Sequence, residues 1–437
     1  MNIRRILSAL LFAAGLVLIA APASGQQQEV RKESYGNTPE ALVPYRQFKE
    51  PYVRYFIERH VFLGTGREKP APAGLETVKI GFMGPLDERD VEAPFGRRML
   101  WGALLAIEEA NAAGGYRGTP YELVVRDDVG PWGASSNKIV ELDREKVWCV
   151  LGSIDGASTH IAIRVALKLE LPVVTTGGTD PTLTETRIPW YIRVNADDRQ
   201  NGYALASYIF GQKGARRVAA LRINSRYGRA GIGEFRDAAR RLGLPLLLEL
   251  RYGPNDRDFR SQLEKIRAAK ADAVVLWGNP EDMGLIVRQM RAMGMEQPVF
   301  GPDRITERRF LDVAGPAAEG VIGTYWFDPT RRDPAWLAFG ERYERRFGEP
   351  PEQYAAHAYD GMRIIIEAVE RAGLNRARIR DELTAIETYH GVTGEIVMDG
   401  SWNDVGPIVM VEVKDGAFRF FPSPLPPVRR AEAKPAR

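Results

Sequence analysis

Along most of the chain, short apolar runs alternate with stretches whose apolar residues recur at helical spacing. Val78-Lys79-Ile80-Gly81-Phe82-Met83 is the first such run and predicts a strand. The stretch from about Arg97 to Ala113 carries Leu100, Leu104, Ala106 and Ile107 on an i, i+4, i+7 stripe and predicts the helix that follows. The alternation continues, with strands expected near 121–127, 147–153, 172–176, 217–223, 273–278, 297–301 and 320–326. Helices are expected near 134–145, 158–170, 198–212, 230–243, 258–270 and 280–293. Such β-α alternation calls for parallel sheets with helices on both faces, and this many strands exceeds one compact sheet, so two α/β lobes are expected. After Phe327 the pattern turns helical, near 334–347, 352–373 and 376–387, and ends in a hairpin between Gly394 and Phe421. No period of 20–50 residues recurs, which excludes a solenoid.

Three segments fall outside this pattern. Residues 1–25 have the parts of an export signal: Arg4 and Arg5, an apolar run from Ile6 to Ala21, then the small residues of Pro22-Ala23-Ser24-Gly25. The run is shorter than the roughly 20 residues a bilayer span needs, so an exported, soluble protein cleaved near Gly25 is expected. An extension over 26–76 follows, in which Tyr45, Phe48, Tyr52, Tyr55 and Phe56 form an aromatic helical stripe suited to packing against the body. Its end, Gly64 to Gly74, contains Pro70 and Pro72 and reads as a linker. Residues 422–437 are Pro-rich and charged and read as a disordered tail.

Composition narrows the function. The formal net charge of +3 sits at the ends: Arg4 and Arg5 contribute two and the tail three, leaving −2 on 26–421. Such a body lacks the basic surface that phosphate neutralisation requires, so nucleic acid is not an expected partner. The one cysteine, Cys149, lies in an apolar run and reads as a buried small hydrophobe. Four scattered histidines, no His-Glu-x-x-His helix and no paired cysteines leave the common zinc patterns absent, and no cofactor is called for. Ser158 and His160 are two apart near a helix start and do not face each other, so Asp155 or Ser158 reads as a helix cap rather than part of a catalytic set. Gly228-Arg229-Ala230-Gly231-Ile232-Gly233 has the wrong glycine spacing for a dinucleotide fingerprint. A non-enzyme is expected.

The informative positions are polar residues and glycines at the carboxyl ends of the expected strands, where open α/β sheets receive ligands. Gly152-Ser153-Ile154-Asp155-Gly156-Ala157-Ser158 ends one strand and Thr175-Thr176-Gly177-Gly178-Thr179-Asp180-Pro181 the next. Glycine there lets a ligand approach main-chain N–H groups, and a helix start favours an anion.

These residues carry a resemblance. Val78-Lys79-Ile80-Gly81, Gly102-Ala103 with Ala106-Ile107-Glu108-Glu109-Ala110-Asn111, Leu151-Gly152-Ser153, Thr179-Asp180-Pro181, Tyr227-Gly228 and Phe300-Gly301-Pro302 occur in one order from about Val78 to Phe421. As an ordered set they resemble the leucine/isoleucine/valine-binding protein family of periplasmic solute receptors. The resemblance implies the type I periplasmic binding protein fold: two doubly wound parallel-sheet lobes joined by a three-crossover hinge and closing on a ligand. It places 77–197 with 327–405 in one lobe and 198–326 with 406–421 in the other. Carried over by position, Phe95, Tyr227 and Tyr354 become aromatic walls. The Gly177 carbonyl and the Thr179 hydroxyl, in the Gly177-Gly178-Thr179 turn, face a ligand ammonium, with Asp303 as its acidic partner. Asn279 ends a strand on the second lobe and adds a hydrogen-bonding group.

One departure bears on the ligand. The family commonly has a serine at the position of Gly156 to grip a carboxylate, and here only the Gly156 N–H and Ser158 remain, with Asp155 beside them. A ligand carboxylate near Asp155 meets like-charge repulsion unless Asp155 turns away. The resemblance implies an exported receptor that hands a small amino-acid-like molecule to the membrane subunits of an ABC importer. A periplasmic sensor of an amide, a urea-like molecule or another small organic compound, signalling to a regulator or membrane receptor, stays open as the alternative.

Overall fold

In the computed structural model, whose described residues are 65–130 and 133–424, the apolar runs pair into two largely parallel sheets. The expected export signal, the aromatic stripe and all but the first few residues of the expected tail lie outside the described residues. The first sheet comprises β1 (Val78–Gly84), β2 (Tyr121–Asp127), β3 (Val150–Leu151), β4 (Val173–Thr175) and β5 (Tyr191–Arg193), in the order β2-β1-β3-β4-β5, every pair parallel. In the second, β6 (Val218–Ile223), β7 (Leu248–Tyr252), β8 (Ala273–Trp277), β9 (Val299–Gly301) and β10 (Ile322–Tyr325) run parallel in the order β7-β6-β8-β9-β10. A separate hairpin, β11 (Thr388–Gly391) with β12 (Gly394–Val397), precedes β13 (Val409–Lys414) and β14 (Ala417–Pro422), which extend the second sheet antiparallel beyond β10. Central strands such as β8, Ala-Val-Val-Leu-Trp, are buried throughout, as a sheet covered on both faces requires.

Twelve helices are described: α1 (Ala93–Ala112), α2 (Ala134–Arg144), α3 (Gly156–Leu169), α4 (Thr182–Glu185), α5 (Asp198–Ala206), α6 (Arg226–Arg241), α7 (Arg260–Ala268), α8 (Pro280–Ala292), α9 (Arg308–Ala314), α10 (Pro334–Phe347), α11 (Gln353–Ala372) and α12 (Arg376–Ala385). Helices α1 to α4 and α10 to α12 belong to the first sheet, and α5 to α9 to the second. The chain therefore passes between the sheets at 194–197, at 326–333 and at 398–408. Caps set several helix starts: Asp155 accepts the Ser158 N–H at 2.7 Å, and Asp197 forms a reciprocal capping box with Gln200.

Several expectations are corrected by packing. Strands β5 and β7 were not anticipated, because β5 is only three residues long and β7 is a half-exposed edge strand rich in charge, Leu-Glu-Leu-Arg-Tyr. The single hairpin expected over 394–421 is two hairpins. The helix expected over 198–212 changes to π-helical hydrogen bonding at Ser207–Gln212. On α1 the buried face centres on Met99, Gly102, Ala103, Ala106 and Ala110, with Leu100 and Leu104 half-buried. The reason is close contact with α11: a Cβ on Gly102 would lie 2.1 Å from the Ala355 carbonyl oxygen. Part of the expected linker is docked, since Asn375 Nδ2 donates to the carbonyls of Gly66 and Lys69 at 3.0 Å each, and Arg67 pairs with Asp381 on α12.

The glycines at the start of α6 serve packing. A Cβ on Gly231 would fall 2.0 Å from the Trp277 ring, so glycine there lets α6 lie directly on β8. Cys149 is fully buried, and burial pushes its thiol up. Among the described residues, no cluster of His, Cys, Asp and Glu is arranged to hold a metal ion, and no helix is long and apolar enough to cross a membrane.

Candidate functional site in the cleft between the sheets

Both sheets reverse their strand order beside their first strand, at β1/β3 and at β6/β8, and loops leaving the carboxyl ends there diverge and open a crevice. The two crevices face each other. From the first sheet come Glu92 and Phe95 after β1, Ile154, Asp155 and Gly156 after β3, and Thr179 and Asp180 after β4. Asp198 follows on the passage to the second sheet. From that sheet come Arg226 and Tyr227 after β6, Asn279 after β8, and Asp303 and Arg304 after β9. The space left among them is about 10 Å³, about one water-sized sphere, so the cleft is closed on its own side chains.

Arg304 is what fills it. The side chain is 4% exposed, and its guanidinium carbon lies 4.0 Å from the centroid of the Tyr227 ring and 5.2 Å from that of Phe95. Nη1 donates to Asn279 Oδ1 at 2.7 Å, and Nη2 donates to Glu92 Oε1 at 2.6 Å across the cleft. Two aromatic faces around a desolvated guanidinium are a favourable cation–π arrangement. Burial raises the Glu92 carboxyl above its usual range, with Arg304 opposing and Asp155 adding to the effect.

Behind Arg304 lies an acidic floor. Asp303 is fully buried; its Oδ2 accepts the Tyr354 hydroxyl at 3.1 Å and Gln353 Nε2 at 3.4 Å, while Oδ1 has no partner. Burial pushes Asp303 up to about 6 against the pull of Arg304 and the Tyr354 hydroxyl. Asp198, the first residue of α5, is also fully buried, and neither carboxylate oxygen completes a hydrogen bond. Burial drives its carboxyl well above the usual range, the charge of Asp303 adds to this, and the neighbouring Thr179 hydroxyl opposes it. Unpartnered buried carboxylate oxygens are costly.

The rim carries a second ion pair between lobes. Arg226 Nε donates to Asp180 Oδ2 at 2.6 Å and its Nη2 to Thr182 Oγ1 at 2.9 Å. Gly156 sits against this pair: a Cβ there would lie 3.1 Å from Asp180 Oδ2 and 3.6 Å from Arg226 Nε.

Of the ten residues expected at the site, Gly156, Thr179 and Tyr227 line the residual cavity. Phe95 and Asn279 contact it through Arg304. Asp303 and Tyr354 form the layer beneath, with Tyr354 stacked on Phe95 at a centroid distance of 4.8 Å. Ser158, Gly177 and Gly178 do not line it. The Ser158 N–H is already taken by Asp155, whose carboxylate caps α3 and still borders the cavity. The Gly178 carbonyl points back into its own lobe, accepting from Arg193 and Asn195 at 3.4 Å each, and the Gly177 N–H turns toward Thr175 Oγ1. Sequence reasoning missed Arg304, Glu92, Asp198 and the Asp180–Arg226 pair. Arg304 had a signal, since it directly follows Asp303 at a strand end.

The model of the periplasmic binding protein family matches residues 77–417. An amino acid binding protein of Pseudomonas aeruginosa is 31% identical over 306 residues, 69% of this chain and 80% of that protein. Leu/Ile/Val-binding protein homolog 2 of Brucella abortus is 27% identical, covering 79% of this chain and 93% of its own length. Among solved structures, the branched-chain amino acid transporter substrate-binding protein LivJ of Streptococcus pneumoniae, in complex with isoleucine, superposes with a TM-score of 0.72. Its sequence is 27% identical, over 79% of this chain and 99% of that one. With two facing α/β crevices and a family model spanning both, this chain belongs to the periplasmic binding protein family and resembles its Leu/Ile/Val-binding members.

Proposed function

We propose that the protein is an exported, non-catalytic receptor that captures a small amino-acid-like molecule between its lobes and delivers it to an ABC importer. One observation carries the ligand class: two fully buried acids, Asp198 lining the cleft and Asp303 in the layer beneath it, keep unpartnered oxygens, which suits a ligand ammonium. Phe95 and Tyr227 supply flat apolar walls for the rest of the molecule. The LivJ neighbour, which holds isoleucine in an equivalent fold, supports the same reading.

Because the closed cleft leaves only about 10 Å³, the ligand enters an open form, displaces the side chains that fill the closed one, and stabilises closure around itself. Mass spectrometry of material released from the purified protein tests the reading directly, with calorimetry on the compounds found. A primary amine recovered unchanged supports it; recovery only of uncharged compounds or of chemically altered product overturns it.

A further inference from the structure

We propose that Arg304 is the residue that receives the ligand's carboxylate, and that Glu92 occupies this place as the protein's own stand-in while the cleft is closed without ligand. The inference rests on the receptor reading above and deepens it from an amine to a zwitterionic amino acid.

The usual place for an anion is already spoken for. At the start of α3, Asp155 takes the Ser158 N–H at 2.7 Å, and the Asp180 carboxylate stands 3.1 Å from where a Gly156 Cβ would be. A ligand carboxylate there would meet two acids. Of the two guanidinium groups that line the cavity, Arg226 is held by Asp180 and is about one-third exposed, whereas Arg304 is buried at the centre.

The partners of Arg304 divide by lobe. Asn279 and Tyr227 belong to the second lobe with it, and Glu92 and Phe95 to the first. When the lobes part, Asn279 still fixes Nη1 and Tyr227 still lies under the guanidinium plane, so the open second lobe presents a preset cation with its Glu92-facing edge free. Glu92 places a carboxylate 2.6 Å from Nη2, which demonstrates that the site accepts that group. It is also a poor permanent partner, because it is partly buried near the charge of Asp155 and makes no side-chain cap to α1. Adjacent residues then read the two ends of one ligand: Asp303 the ammonium, Arg304 the carboxylate.

The test is calorimetry at pH 7 with leucine and phenylalanine and with their primary amides, which keep the amine and lose the carboxylate charge. In the parent protein the acids should bind more tightly than the amides. Arg304→Gln should weaken the acids by about 30-fold or more while leaving the amides unchanged or tighter. Since this variant leaves the partly buried Glu92 without its partner, the double variant Glu92→Gln/Arg304→Gln is measured alongside and should show the same acid-to-amide reversal. Glu92→Gln alone should tighten the acids by about two- to fivefold by removing the competitor. If acids and amides respond equally to Arg304→Gln, or neither responds, the carboxylate assignment is overturned and the amine-binding receptor stands. If the parent protein binds none of the four, the carboxylate assignment is overturned, and the receptor reading is decided by the mass spectrometry of released material.

Discussion

Replacing Asp303 by Asn should make the empty protein more stable and the receptor worse. Asn preserves the shape and the contacts with Tyr354 and Gln353 while removing a charge from a fully buried position. Burial raises the Asp303 carboxyl from 3.8 to about 6, so above pH 6 the folded protein carries an ionised acid that the unfolded chain tolerates better. That difference, at 1.36 kcal/mol per pH unit, amounts to about 3 kcal/mol at pH 8 and about half of that at pH 5. Urea unfolding of ligand-free parent and variant at the two pH values reads the difference directly. Calorimetry reads the other side: an ammonium ligand loses a desolvated charge partner, which should cost about 2–5 kcal/mol, against about 0.5–1.5 kcal/mol if the ligand were neutral at that end. An Asn variant that is less stable than the parent at pH 8, or whose gain is the same at both pH values, would refute the argument that Asp303 is held ionised in the cleft at a cost.

Other expectations follow from the same geometry. Affinity for an amine ligand should fall about tenfold per pH unit below pH 6, as Asp303 takes up a proton. Ligand-free stability should move the opposite way. Asp128 and Asp404 titrate near 7 and Asp360 near 6 because of burial, so the folded state holds protons that the unfolded chain has released. Their stabilisation is complete below about pH 4 and is lost as pH rises through 6 to 7; denaturation midpoints that climb steadily from pH 5 to 8 would contradict this. Gly156→Ser should cost about 1–3 kcal/mol of stability from crowding against Asp180, with no tightening of leucine, and a tighter complex in calorimetry would count against that packing. Arg226→Met removes a rim pair that is one-third exposed, worth about 0.5–1 kcal/mol toward the closed form. Small-angle scattering should then show a larger radius of gyration without ligand, and an unchanged radius in low salt would show that the pair holds nothing closed.

The alternation of apolar runs and helical stripes was enough to establish two α/β lobes, because strand and helix periods are local properties of the chain and buried parallel strands leave continuous apolar runs. The elements it missed are those whose signal is not local: β5 is too short to carry a period, and β7 is a half-exposed edge strand interrupted by Glu249 and Arg251. The same holds for the helix face. Leucines at 100 and 104 advertise a stripe, but they are only half-buried while Ala106 and Ile107 are buried together with the small residues Gly102 and Ala103, since the contact distance to α11 is decided by another segment 250 residues away.

At the site, strand-end position singled out the loops of Gly156 and Thr179 and the residue Asn279, whereas Phe95, Tyr227 and Asp303 came from the family resemblance; the sheet topology brings these segments toward one crevice. Whether a group at such an end faces the cleft depends on what else competes for its hydrogen bonds, and that is a tertiary matter. Ser158 lost its N–H to Asp155, and the Gly178 carbonyl was drawn inward by Arg193 and Asn195. Arg304 and Glu92 are 212 residues apart and on different lobes. Each alone reads as an ordinary charged loop residue, and only closure of the cleft, which buries Arg304 and part of Glu92, turns them into the pair that spans it.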